Sequence, residues 1–205
     1  MNSPPPQLIL ASQSPRRRYL LEQAGLDFSV IPSTFDENSV QLADPADYVK
    51  TLAKAKAGEV ATRFPDRWVI GADTIVTIDH TILGKPASPT EAREMLTKLS
   101  GQSHFVYTGY AIVNKNEGIC RCDAIKTIVE FKDLSDEEVH WYIQTGEPFD
   151  KAGAYAIQGM GTFLVRRING SYTNVVGLPV CEVIETLLKL GVISLHRENL
   201  KGVNE

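Results

Sequence analysis

The chain has 205 residues, 43% hydrophobic and 22% charged, which suits one domain with a substantial buried core. Its 21 basic and 25 acidic side chains leave a net charge of -4, which argues against a protein that coats nucleic acid; an anionic ligand must be met by a local cluster of Lys and Arg. No stretch approaches the ~20 apolar residues that span a bilayer, and the three cysteines and four histidines show neither a disulfide framework nor zinc spacing.

Residues 1–7, with three consecutive prolines, are expected to be a disordered lead-in and not a signal peptide. A short strand at 8–11 leads into a helix over 15–24 that Gly25 closes, and a second strand is expected at 28–31. Asp44 as N-cap and Pro45 at the first position start a long amphipathic helix over 45–64. Residues 68–78 form an apolar run rich in β-branched residues, long for one strand. A helix over 89–99 groups Ala92, Met95, Leu96 and Leu99. Strands at 105–113 and 120–131 flank a turn, and Cys120 and Cys122 on the second read as small buried hydrophobes of a reducing compartment. A helix over 137–145 is capped by Ser135 in a box with Glu138. Asn169-Gly170 predicts a hairpin between 162–168 and 172–175, and a helix over 179–190 ends at Gly191. The domain is expected to span 8–193, followed by a flexible tail over 194–205. Strands alternate with helices and two connections look like hairpins, which predicts a cytoplasmic α/β protein with a mixed sheet.

Several segments carry chemistry. Ser12-Gln13-Ser14-Pro15-Arg16-Arg17-Arg18 opens a helix with three cations where the helix dipole disfavours them by about 0.3–1 kcal/mol each. A bound phosphate reverses that cost, so this is a candidate anion site, with Ser14 as the N-cap. Of the loop pair Asp36-Glu37, one side chain is expected to enter a site, and Glu37 is the choice. Lys56 falls within the apolar stripe of the long helix, either snorkelling at its edge or bordering a polar cleft. Asp73 interrupts the apolar strand 68–78, and a buried carboxylate must be paired, protonated, satisfied by backbone donors or metal-bound. Lys85, held extended by Pro86, reads alone as a turn lysine, and the glycine-rich run 150–161 lacks nucleotide-fingerprint spacing. No Ser–His–Asp pattern fits. Two carboxylates, Glu37 and Asp73, with Arg16, Arg17, Lys56 and Lys85 make a kit for a metal–polyphosphate complex.

Over residues 8–190 the chain resembles the Maf-like nucleotide pyrophosphatases. The matching segments are Ser12-x-Ser14-Pro15-Arg16-Arg17, Asp36-Glu37, Leu52-Ala53-x-x-Lys56-Ala57, Gly71-Ala72-Asp73-Thr74 and Gly84-Lys85-Pro86. They continue with Asp150-Lys151-Ala152-Gly153-x-Tyr155-x-Ile157-Gln158-Gly159, Asn169-Gly170-Ser171-Tyr172 and Val176-Gly177-Leu178-Pro179. The resemblance implies a mixed twisted β-sheet with flanking helices, two lobes around a deep cleft as in the inosine-triphosphate pyrophosphatases, and a homodimer. It implies hydrolysis of a nucleoside triphosphate to monophosphate and pyrophosphate with Mg²⁺ or Mn²⁺ held by Glu37 and Asp73. Asp73 is then the general base, Arg17, Lys56 and Lys85 face the phosphates, and Arg16, Thr74 and Gln158 match base-selecting positions. One branch prefers dTTP and UTP, which the 150–159 and 169–172 segments favour; the alternatives are 7-methyl-GTP or non-standard purines, or a nucleotide-sensing role in septum formation.

Overall fold

The computed structural model describes residues 7–41 and 44–194, so the expected N-terminal lead and C-terminal tail lie almost wholly outside the described residues. The strands are β1 (Leu8–Leu10), β2 (Ser29–Val30), β3 (Trp68–Ile78), β4 (Thr81–Leu83), β5 (Ser103–Asn114), β6 (Ile119–Phe131) and β7 (Val165–Asn169). The helices are α1 (Pro15–Gln23), α2 (Pro45–Arg63), α3 (Pro89–Leu99), α4 (Asp136–Gln144), α5 (Tyr172–Val176) and α6 (Val180–Lys189). The sheet runs β2-β1-β3-β5-β6-β7, with β4 paired to β3. β1 is parallel to both β2 and β3, whereas the β3–β5, β5–β6 and β6–β7 pairs are antiparallel, so the sheet is mixed as expected.

Local chemistry starts the helices where the sequence says it should. Asp44 accepts from the Ala46 N–H, Ser88 from the Glu91 N–H, and Ser135 with Glu138 closes a reciprocal capping box. β3, β5 and β6 are long enough to serve two bodies of core. At one end α2 covers one face of the sheet through Ala53, Ala57 and Val60, while α1 and α6 cover the other face around Ile70 and Ile112. At the other end α3 and α4 pack Leu96, Leu99 and Tyr142 against Val76, Val106 and Phe131. These are the two lobes, and the cleft opens between them. No described helix is long and apolar enough to cross a membrane.

Three expectations are corrected. The run 162–175 is not a hairpin: residues 159–164 wind into 3-10 turns, β7 pairs with β6, and Ser171 caps α5 by accepting from the Asn174 N–H. The Asn-Gly turn signal was sound, but a serine cap outweighed the β-branched residues after it. The second hairpin is β3–β4, turned at Asp79 and His80, both in the left-handed region at φ 48° and 61°. Cys120 is exposed and Cys122 half-buried, because β7 pairs only with the far end of β6 and leaves its first half at an edge.

Two glycines set how closely α2 lies on the sheet. A Cβ on Gly71 would sit 2.4 Å from the Ala53 carbonyl oxygen, and one on Gly109 would sit 2.4 Å from Val49 backbone atoms. Gly109→Ala is therefore expected to cost about 1–3 kcal/mol in urea unfolding. Gly58→Ala, inside α2 with open space around it, should instead stabilise by up to ~1 kcal/mol. A neutral Gly109→Ala would show that the helix is free to lift.

His104 lies fully buried, its Nε2 2.8 Å from the Tyr155 hydroxyl. Burial lowers its pKa from 6.5 to about 4. Between those values the unfolded chain binds the proton and the folded one does not, so stability rises with pH through that window and is lost on acidification. His104→Gln should remove roughly 2 kcal/mol of the stability difference between pH 7 and pH 5. Equal pH slopes for the two proteins would exclude His104 as the source.

Candidate functional site

The cleft between the lobes has a volume of about 750 Å³, within the range of about 300–1,000 Å³ usual for small-molecule sites. Its centre is Asp73, on β3 opposite Gly109 of β5, with only 7% of its surface exposed. Gly109 offers no side chain to cover the carboxylate, and α2 passes directly over it. That brings Lys56, itself 9% exposed, to donate to Asp73 Oδ1 at 2.7 Å. The same ammonium lies 2.8 Å from Glu37 Oε1, so one lysine neutralises two carboxylates from different elements. Lys56 thus borders a polar cleft, and the alternative of a snorkelling lysine is excluded. Asp36 turns away and caps its own 3-10 turn by accepting from the Asn38 N–H.

Burial works to raise the Glu37 pKa, but the hydrogen bond and charge of Lys56, with Lys85 and Arg17 beyond, hold it below its ordinary value. Glu37 is therefore ionised at neutral pH. Tyr48, from the first turns of α2, also lines the cleft; burial, then Asp73 and Glu37, raise its pKa.

The floor is made by α1. Arg17 Nε donates to the Gly177 carbonyl at 2.7 Å, Nη1 to the Ala72 carbonyl and Ser12 Oγ, and Nη2 to Thr74 Oγ1 at 3.0 Å. Arg17 is half-buried; desolvation lowers its pKa, but Asp73 opposes that and a guanidinium stays charged at neutral pH. Thr108 donates to the Asn174 carbonyl, and Thr74, which accepts from Arg17, lies 2.9 Å from the Thr108 hydroxyl and 3.4 Å from the Gly177 carbonyl. Thr74 is thus pinned at the cleft wall. Ser14 accepts from the Arg17 N–H and receives none of the load expected of a free helix end, since Pro15 has no N–H to offer. Arg18 points elsewhere, paired with Glu22.

The opposite wall comes from the second lobe. The tight β3–β4 turn sends Gly84 back against Gly153, whose N–H donates to the Gly84 carbonyl at 3.0 Å, and leaves Lys85 exposed at the cleft rim. Asp150 reaches across to Arg16 at 3.2 Å and also pairs with Lys151, and these cations hold its pKa low against the opposing effect of burial. Gln158 lines the same wall. The structure therefore gathers Ser14, Arg16, Arg17, Glu37, Lys56, Asp73, Thr74, Lys85 and Gln158 around one space. Sequence reasoning missed Lys151, Asp150 and Tyr48 as site residues. The first two stood in the quoted glycine-rich segment and carried a signal; Tyr48 carried none, because its place depends on the roll of α2. Five cations (Arg16, Arg17, Lys56, Lys85, Lys151) against three carboxylates (Glu37, Asp73, Asp150) leave two excess positive charges in the lining of a chain whose net charge is -4. The local cluster that an anionic ligand requires is present.

Glu37 and Asp73 share one ammonium, and among the described residues no group of three or more His, Cys, Asp or Glu side chains gathers. Two carboxylates without nitrogen or sulfur ligands do not suit zinc. They do suit Mg²⁺ or Mn²⁺, which commonly take one or two protein carboxylates and complete their shell with water and substrate phosphate. Glu37 and Asp73 are the residues that would hold such an ion.

Comparison with known proteins agrees with this geometry. A dTTP/UTP pyrophosphatase of Syntrophus aciditrophicus is 50% identical over 92% of this chain and 92% of its own. Another of Geobacter metallireducens is 52% identical over 91% and 97%. The solved structure of the Staphylococcus aureus Ham1 protein shares the fold, with a TM-score of 0.50 at 12% identity over 90% of this chain and 98% of that one. With the model of the Maf-like protein family matching residues 7–190, the chain belongs to that family.

Proposed function

We propose that this chain hydrolyses dTTP and UTP, and modified pyrimidine nucleotides, to the monophosphate and pyrophosphate. The observation that carries the reading is a carboxylate, Asp73, paired with Lys56 at the centre of a cation-rich cleft. Relatives named dTTP/UTP pyrophosphatase, about half identical over most of both chains, support the substrate.

The residues divide the work as follows. Lys56 takes Asp73 Oδ1 and leaves Oδ2 for a water, which Asp73 orients for in-line attack at the α-phosphorus. Full proton transfer from free water to an ordinary aspartate is uphill by ~12 pK units, ~16 kcal/mol, so Asp73 does not act alone. Glu37 and Asp73 would hold a divalent ion, which would supply charge neutralisation at the phosphate oxygens and a more acidic water. Arg17 gives fixed positive charge from the floor, and Lys56 and Lys85 stabilise charge on the leaving pyrophosphate. Arg16, Thr74 and Gln158 meet the nucleoside, where the Gln158 amide offers both a donor and an acceptor to a pyrimidine edge. Ser14 holds the start of α1 against the phosphates. The functional unit is proposed to be a homodimer in the cytoplasm.

The test is pyrophosphate release from dTTP, UTP, 5-methyl-UTP, CTP, dITP, GTP and 7-methyl-GTP, with Mg²⁺ or Mn²⁺ and with chelator. Metal-dependent release from dTTP and UTP is the expected result. Activity confined to 7-methyl-GTP would overturn the substrate, and silence from folded protein would overturn the reaction. Asp73→Asn should lower kcat by roughly 10²–10⁴-fold while dTTP still binds; turnover near the parental rate would remove Asp73 from the base role. Lys56→Met leaves Asp73 without its cation and should cost about 3–5 kcal/mol of stability in metal-free buffer. An unchanged unfolding midpoint would mean that the Lys56–Asp73 pair does not hold the fold together.

A further inference from the structure

The segment that carries Gln158 has little regular structure to shape it. Gly153, Ala154 and Gly159 lie in the left-handed region at φ 70°, 60° and 75°, and residues 159–164 form only 3-10 turns. Its form is imposed from outside by two side chains. Glu147 Oε2 accepts from the Met160 N–H at 3.0 Å, and Oε1 accepts from the Gly161 N–H at 3.0 Å and from the Tyr142 hydroxyl at 2.8 Å. The Tyr142 oxygen in turn accepts from the Ala156 N–H at 3.1 Å. Backbone is thus gripped two residues before Gln158 and two and three residues after it. The glycines around it make room for the grip: a Cβ on Gly159 would lie 2.5 Å from Glu147 Oε2, and one on Gly161 would lie 2.7 Å from the Tyr142 hydroxyl.

Neither Glu147 nor Tyr142 lines the cleft. Tyr142 is fully buried in the core of the second lobe, on α4. The contact therefore ties the position of Gln158 to a rigid body and not to the substrate. We propose that Glu147, acting with Tyr142, is the positioning residue for nucleotide selection, fixing the distance at which Gln158 meets the base. The proposal rests on the pyrimidine-nucleotide reading above. An amide reads a base edge only within a few tenths of an ångström of hydrogen-bond range, and misplacement by about 1 Å can cost roughly 100-fold. A loop free to shift would admit larger or differently patterned bases.

The experiment is steady-state hydrolysis of dTTP, CTP and GTP by the parent chain, Glu147→Gln, Gln158→Ala and the double variant. Glu147→Gln exchanges one acceptor oxygen for a donor facing N–H groups. It is expected to reduce the preference for dTTP over CTP and GTP by roughly tenfold or more, mainly through KM. Because Glu147 acts through Gln158, it should add nothing to the preference change of Gln158→Ala. Parental preference in Glu147→Gln, the same further loss in the Gln158→Ala background, or an equal fall in kcat on all three nucleotides would each overturn the proposal. If Glu147→Gln does not fold, Tyr142→Phe, which keeps the ring and removes the hydroxyl, must shift the preference the same way; unshifted preference overturns it. If the parent releases no pyrophosphate from any nucleotide, the functional reading has failed separately. The same cycle is then run on dTTP dissociation constants, where a Glu147→Gln loss that vanishes without Gln158 supports the positioning role and its absence overturns it.

Discussion

A carboxylate in the middle of a largely apolar sheet strand is the constraint on which this molecule turns. Asp73 is buried in a strand that is apolar apart from Thr74 and Thr77, so its charge must be neutralised within the protein. The neutralising group is Lys56, and it arrives only because α2 lies against the backbone of β3 and β5 at Gly71 and Gly109. Helix approach, glycine placement and charge pairing are thus one arrangement. A buried pair of this kind contributes little net stability, since desolvation offsets most of the attraction. Its persistence is understandable if the charge itself is what the site needs.

The two lobes carry different parts of the task. The end of the sheet covered by α1, α2 and α6 holds the carboxylates, Lys56 and Arg17, all locked by bonds to backbone or to each other. The other end presents Lys85, Asp150, Lys151 and Gln158 on turns and 3-10 segments. Asp73, Lys56 and Arg17 stand on a strand and two helices, whereas Glu37, Lys85, Asp150 and Gln158 stand on turns or 3-10 segments. The long strands β3, β5 and β6 run through both bodies and keep the walls in register. The Asp150–Arg16 ion pair spans the opening and joins one wall to the other.

Much of this was legible before any coordinates. The strand over Trp68–Ile78 and the helix over Pro89–Leu99 were read to the residue, because apolar periodicity and capping residues agree there. Asp73 announced itself as a charge in an apolar run, and Lys56 as a charge in an apolar stripe. Where local signals conflicted, the reading failed. Residues 172–176 have strand-like side chains and helix-starting chemistry at Ser171, and the cap won, aided by Asn174 burying its amide against the Val106 carbonyl and Thr127 Oγ1. Three-residue β4 was too short to show a period, and its Asp79-His80 turn lacks the glycine that usually marks one.

The sequence by itself determined the fold class, the main elements and the candidate residues of the site, because those follow from periodicity, caps and charges placed against the local pattern. It could not determine partnership. That Lys56 answers Asp73 and Glu37 together, that Arg17 is spent on Gly177, Ala72 and Thr74, and that Glu147 grips the turn holding Gln158 are contacts between residues 13 to 160 positions apart. Such contacts depend on the roll of a helix and the closeness of backbones. Only the packed tertiary structure sets these, since no single segment contains both partners.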